Sequence, residues 1–199
     1  MEGRRSRIVG IDYGSKMAGT TVIAYAENDR IQFLQSAKKQ DADAFLLQSI
    51  EAKQFTHIFL DAPLSLPGVY QNLPKYDDYF YRKGDKILKA MSPMFLGGLT
   101  ARAMRLKAQL NKKGVQVTET YPGYWAKQFQ LADYHYKKQK VHLADCCAYA
   151  IQQLDLPFEV DTIGNWHQLD ALLAFFVTWR HQQGKTELFG DEVEGGILV

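Results

Sequence analysis

Arg7-Ile-Val-Gly-Ile-Asp12 is a short apolar run that ends in an acid. Two more runs of strand type follow, Thr20 to Ala26 (TTVIAYA) and Ile31 to Ser36, with Asn28-Asp29 as the turn between them. Together the three predict an antiparallel meander. Next, Asp41 caps a helix with Ala44, Phe45, Leu46 and Ile50 at helical spacing, and His57-Ile-Phe-Leu60 is a brief run of buried-strand type that stops at Asp61-Ala-Pro. A helix from about Leu99 to Lys112, closed by Gly114, leads into the alternating Val115-Gln-Val-Thr-Glu119. Further helical patterns cover about Lys140 to Leu154 and Trp166 to His181. This order predicts an α/β domain with a mixed five-stranded sheet flanked by helices.

The 199 residues carry a net charge of +2, with 46% hydrophobic and 23% charged side chains. Those values suit one domain with a sizeable core and exclude general disorder. No uncharged apolar run approaches the roughly 18 residues of a membrane span, and the basic stretch Met1 to Arg7 has no long apolar segment behind it. Cys146 and Cys147 are adjacent, which rules out a disulfide framework or a spaced metal site. A cytoplasmic protein without a membrane partner is expected. The chain changes character between Pro63 and Pro93, where Tyr76, Tyr79, Phe80 and Tyr81 sit among charges and turn residues. An insertion or cap at about 64–96 is predicted, either packed on the body or acting as a lid over substrate.

The acids fall where strands end. Asp12 closes the first, Asp61 the fourth and Glu119 the fifth, while Asp170 lies inside an otherwise apolar helix with Leu169, Leu172, Leu173 and Phe176. Carboxylates in apolar surroundings are costly unless paired, hydrogen-bonded or bound to a metal. If the strands of Asp12 and Asp61 are neighbours, the helix of Asp170 brings a third acid to the same edge. Hard cations such as Mg²⁺ or Mn²⁺ take such oxygen ligands and support phosphodiester hydrolysis. Asp12, Asp61 and Asp170 are the candidate ligands, with Glu119 as a further ligand or water-orienting base.

Gly10 to Thr20 (GIDYGSKMAGT) lacks Walker spacing. Gly14, Ser15 and Lys16 fit either a turn beside a metal-bound phosphodiester or the phosphate loop of an actin-like nucleotide-binding protein. Two basic clusters stand out. Arg102, Arg105, Lys107, Lys112 and Lys113 share a helix, and Lys137, Lys138 and Lys140 accompany Tyr134, His135 and Tyr136. Cations interleaved with rings suit nucleic acid, and Lys137 is the candidate phosphate contact. His142 and Cys146 have helical ligand spacing but read as core and surface residues.

The blocks IVGIDYGSKMAGTTVIAY (8–25), FLDAPLSLPG (59–68), VTETYPGYWAKQF (117–129), YKKQK (136–140), LDALLAFFVTWR (169–180) and GDEVEGGILV (190–199) resemble the ribonuclease H-like predicted nucleases of domain-of-unknown-function family 429. The first block is also similar to the opening of Holliday-junction resolvase-like proteins. The resemblance implies an acidic site of Asp12, Asp61, Glu119 and Asp170, with Lys137 and Arg180 near the family's basic positions. Where the family pattern has a further acid, this chain has Gly164-Asn-Trp-His-Gln168. Asn165 or His167 stands in its place, and His167, three residues before Asp170, either ligates or shuttles a proton or makes the ordinary hydrogen bonds of a helix-start histidine. The expected function is a Mg²⁺- or Mn²⁺-dependent nuclease acting on nucleic acid, with a non-catalytic nucleic-acid-binding protein of the same fold as the alternative.

Overall fold

The computed structural model describes residues 7–191 and 193–199. Met1 to Ser6 of the basic start and Glu192 of the last resembling block lie outside the described residues. Strand β1 (Ile8–Asp12) pairs antiparallel with β2 (Val22–Glu27), which turns through Asn28 and Asp29 into β3 (Arg30–Gln35). Both turn residues take the left-handed backbone, φ 52° and 58°, that a tight hairpin turn requires. Helix α1 (Ala42–Lys53) starts on Asp41, whose carboxylate accepts the amide protons of Asp43 and Ala44 at 2.9 and 3.2 Å. Strand β4 (His57–Asp61) then lies parallel to β1 on its free side.

The segment expected to be an insertion carries two short helices, α2 (Lys83–Leu88) and α3 (Pro93–Leu96). It leads into α4 (Gly98–Lys112) and β5 (Gln116–Glu119), parallel to β4. Helices α5 (Pro122–Gln128) and α6 (Leu143–Leu154) follow, then β6 (Glu159–Val160), α7 (Trp166–Gln182) and the terminal hairpin of β7 (Leu188–Asp191) and β8 (Gly195–Leu198). The main sheet has the order β5-β4-β1-β2-β3-β6 and six strands, one more than the five expected. The extra strand, β6, is only two residues long and pairs with Arg30 and Ile31, too short a stretch for alternation to show. Among the described residues no helix is long and apolar enough to cross a membrane.

Alternation along the strands assigns the two faces of the sheet. Val9, Ile11, Ile23, Ile58, Leu60 and Val117 pack with Leu46, Ile50, Leu106 and Leu110 of α1 and α4. Val22, Ala24 and Ile31 pack with Leu169, Leu172, Leu173 and Phe175 of α7 and with α6. Gly10 belongs to this second face, where a Cβ would lie 2.0 Å from the Phe175 amide nitrogen and 2.4 Å from the Ala174 carbonyl carbon. Helix α7 therefore rests its backbone directly on β1, and only glycine permits that approach.

Gly10→Ala is expected to lift α7 from the sheet, because the clashing atoms are backbone and cannot rotate aside. The cost should be about 1–3 kcal/mol. A fall in the thermal midpoint of about 2–10 °C would register it; an unchanged midpoint would contradict this packing.

Candidate metal centre

Because α7 runs over Gly10, the turn of α7 that precedes Ala174 reaches the end of β1. Asp12 has the same strand parity as Gly10, so its side chain faces α7. There Oδ2 of Asp12 meets Nδ1 of His167 at 2.8 Å. The ligand atoms of Asp12, His167 and Asp170 all lie within 4.8 Å of one another, close enough to share one metal ion. Asp61 stands directly opposite Asp12 in the parallel register, at the same sheet edge and with the same parity. Asp12, Asp61 and Asp170 are thus brought into one electrostatic neighbourhood, with His167 as a fourth member.

Asp170 is 2% exposed. Its Oδ1 accepts the Tyr136 hydroxyl proton, and its Oδ2 pairs with Nζ of Lys137 at 2.6 Å. Burial pushes the Asp170 carboxyl up to about 6, against the pull of Lys137 and with the Asp12 charge adding to the rise. Asp61 is raised well above its ordinary carboxyl value by burial and then by the charges of Asp12 and Asp170. For Lys137 burial acts against the ammonium, but Asp170, Asp61 and Asp12 outweigh it and raise its pKa. His167 is raised by its hydrogen bond to Asp12. Lys137 also holds a left-handed backbone, φ 57°, a conformation that is costly outside glycine and persists where its surroundings impose it.

This chemistry fits a hard divalent cation. Crowded carboxylates hold protons or a lysine when no stronger positive charge is present, and the Lys137 ammonium on Asp170 is such a stand-in. Asp12, Asp170 and His167 would hold the ion, with Asp61 beside them.

Ionised Asp61 works against the fold. Its pKa is higher in the folded chain than in the unfolded one, so its favourable contribution is complete below the unfolded carboxyl pKa near 4 and is lost as pH rises through the folded value. Asp61→Asn is therefore expected to raise the thermal midpoint at pH 7.5 in EDTA, with the gain vanishing near pH 4. A lower midpoint at pH 7.5 would refute the repulsion.

The other expected residues have partners of their own, though the Glu119 charge also acts on Asp61. Glu119 pairs in register with Leu60, whose side chain belongs to the α1/α4 face, so its parity is opposite to that of Asp61. Its Oε1 and Oε2 accept from the Arg82 guanidinium at 2.5 and 2.7 Å, and Oε2 also accepts the Leu64 amide proton at 2.8 Å. Glu119 is not a member of the converging cluster. After β1, the Gly14 amide donates to Thr21 Oγ1 at 3.0 Å, and the Ser15 carbonyl accepts from the Ala18 amide at 3.3 Å. Lys16 pairs with Asp41 at 3.1 Å. Arg180 stacks on Trp125, about 15 Å beyond Asp170 along α7. Arg102 and Arg105 are both held by Asp43, at 2.7 and 3.0 Å. Asn165 caps α7 by accepting the Gln168 amide proton at 3.1 Å.

Sequence reasoning missed Tyr136 as the partner of Asp170 and Arg82 as the partner of Glu119. The signal for the second was an arginine in the turn-rich segment that lies, along the chain, between the strands ending in Asp61 and Glu119.

No protein-family model and no curated protein matches the chain.

Proposed function

We propose that the chain is a divalent-cation-dependent nuclease of ribonuclease H-like fold, hydrolysing phosphodiester bonds of nucleic acid. The fold reading draws support from the order β5-β4-β1-β2-β3, in which the first three strands are an antiparallel meander and β4 and β5 add in parallel. The functional reading rests on one observation: ligand atoms of Asp12, His167 and Asp170 lie within 4.8 Å of one another at the strand end that Asp61 shares.

Each residue has a role in this reading. Asp12 and Asp170 supply carboxylate ligands, and Tyr136 orients Asp170 by donating to Oδ1. His167, with Nδ1 turned to Asp12, keeps Nε2 for ligation or for exchange of a proton with the leaving oxygen. Lys137, about half exposed and paired with Asp170, would contact a substrate phosphate. A bound Mg²⁺ or Mn²⁺ would supply Lewis-acid activation of water and charge neutralisation at the phosphodiester.

The test is cleavage of labelled DNA and RNA, single-stranded and duplex, with Mn²⁺, Mg²⁺ or EDTA. Turnover with a divalent cation and none in EDTA is expected. The imidazole nitrogen among the donors favours Mn²⁺, so Mn²⁺ should saturate at lower concentration than Mg²⁺. No cleavage of any substrate with either ion would reject the proposal. The Lys137–Asp170 pair favours a second reading, a nucleic-acid-binding module in which the lysine permanently takes the place of the cation. Affinity that is identical with Mn²⁺ and EDTA, with no turnover, would select it.

A further inference from the structure

The segment between β4 and α4 presents aromatic rings to solvent. Tyr79, Phe80 and Phe95 are 58%, 54% and 63% exposed, and Met91 and Ile87 are exposed beside them. The rings fall into two contact groups within the segment. Phe80 and Phe95 lie 5.6 Å apart between centroids, Tyr81 meets Phe95 edge-on at 5.8 Å, and Tyr79 meets Tyr70 edge-on at 6.0 Å. Large apolar side chains left exposed in such number within one segment mark a contact site.

The segment is built on a fixed support. The amides of Phe80 and Tyr81 both donate to Asp78 Oδ1 at 2.8 Å, and the Ser92 hydroxyl donates to the Phe80 carbonyl. Immediately after Tyr81 comes Arg82, 1% exposed, whose guanidinium reaches Glu119 at the end of β5. Strand β5 adjoins β4, which ends in Asp61. The segment that carries the rings is therefore anchored, through Arg82, at the strand ends near which the carboxylates lie.

Charge selects the occupant. Exposed Lys83 and Lys89 lie in the same segment as the rings, where they outnumber exposed Asp77, and among the described residues neither takes part in a salt bridge. A two-fold contact between copies would set these like charges near one another. A duplex hides its base faces in its own stack and gains nothing from exposed rings. Unpaired bases offer a free π-face to each ring, with phosphates for the lysines.

We infer that Tyr79, Phe80 and Phe95 form a stacking platform for unpaired nucleobases, flanked by Lys83 and Lys89 as phosphate contacts, so that the substrate is single-stranded or has a single-stranded stretch. This inference rests on the nuclease reading of the carboxylate cluster.

The test is fluorescence anisotropy in EDTA with fluorescein-labelled oligothymidylate, oligouridylate and a duplex of equal length. Single strands should bind at least about 10-fold more tightly than the duplex, and the double variant Phe80→Ala/Phe95→Ala should weaken them about 10- to 100-fold. Phe95→Leu, which keeps an apolar side chain but loses the ring, should show part of that loss with an unchanged thermal midpoint. Lys83→Ala should flatten the salt dependence by about one phosphate contact. Equal or tighter duplex binding, or single-strand affinity indifferent to Phe95→Leu, would overturn the platform. So would sedimentation showing a dimer that the double variant turns into monomer. Single-strand binding that behaves as expected without cleavage in Mn²⁺ would remove the nuclease reading and leave the platform standing.

Discussion

Asp170→Asn is expected to abolish divalent-cation binding and to lower Mn²⁺-dependent cleavage by about 10³-fold or more. Losing a mere partner of a ligand costs about 10–100-fold in metal affinity, so losing a ligand itself should cost more. Asparagine keeps the shape and can still accept from the Tyr136 hydroxyl, so the variant should fold. What it loses is the charge that pairs with Lys137 at 2.6 Å and faces Asp12. A ligand that binds only the folded state adds about 2.7 kcal/mol of stability at one hundred times its dissociation constant. Wild-type protein should therefore show a thermal midpoint that rises with Mn²⁺, and the variant should not. Asp12→Asn should behave alike and also weaken the hold on His167. Cleavage within about threefold of wild type in either variant would remove these carboxylates from the chemistry.

Arg82→Met is expected to be the most destabilising of the substitutions considered, by about 3–5 kcal/mol. The side chain is 1% exposed and all five of its N–H donors are used. Nε and Nη2 donate to Asp85 at 3.0 and 2.6 Å, Nη1 and Nη2 donate to Glu119 at 2.7 and 2.5 Å, and Nη1 also donates to Ser65 Oγ at 2.8 Å. Methionine preserves the volume but leaves two buried carboxylates without a counter-charge. Burial already raises the Glu119 carboxyl despite the arginine, so losing Arg82 removes the main influence that opposes that rise. The loss is a large share of the roughly 5–15 kcal/mol by which domains are stable. It should appear as a drop of about 6–20 °C in thermal midpoint. Arg82→Lys should recover little, since an ammonium cannot reproduce the planar fork. Neutralising the whole triad, with Asp85→Asn and Glu119→Gln added to Arg82→Met, should recover part of it. A midpoint for Arg82→Met within about 2 °C of wild type would show that the hub carries no such energy.

The same hub anchors the segment at 64–96. The sequence allows a lid or a packed insertion, and the structure pins it from two sides. Arg82 ties it to β5, while Glu194 accepts the Gly68 and Lys83 amide protons at 2.7 Å each. Glu194 is buried and lies in the terminal hairpin, far along the chain from both amides. Nothing local to Glu194 in the sequence signals this, because the partners meet only after the sheet has formed.

Parity explains which acids were legible. In β1 the apolar residues Val9 and Ile11 alternate against Gly10 and Asp12, and in β4 Ile58 and Leu60 alternate against Phe59 and Asp61. In β5 the acid shares parity with Val117, so alternation already separated Glu119 from the other two. Grouping it with them on the strength of its strand-end position alone overlooked the period of two. The helix of Asp170 was visible as an apolar stretch, but its height above the sheet was not. Gly10 sets that height by allowing backbone contact with Ala174 and Phe175.

From sequence alone came the α/β class, the three-strand meander, the Asp41 cap and the placing of Asp12, Asp61 and Asp170 on elements able to meet, because these follow from local periodicity and the chemistry of turns and caps. Tertiary structure alone decided that Nδ1 of His167 turns to Asp12, that Lys137 pairs with Asp170, that Glu119 turns to Arg82, and that a sixth strand pairs through two residues. Each of these depends on contacts between distant parts of the chain, where register, helix height and the pairing of buried charges are set by packing and leave no local pattern.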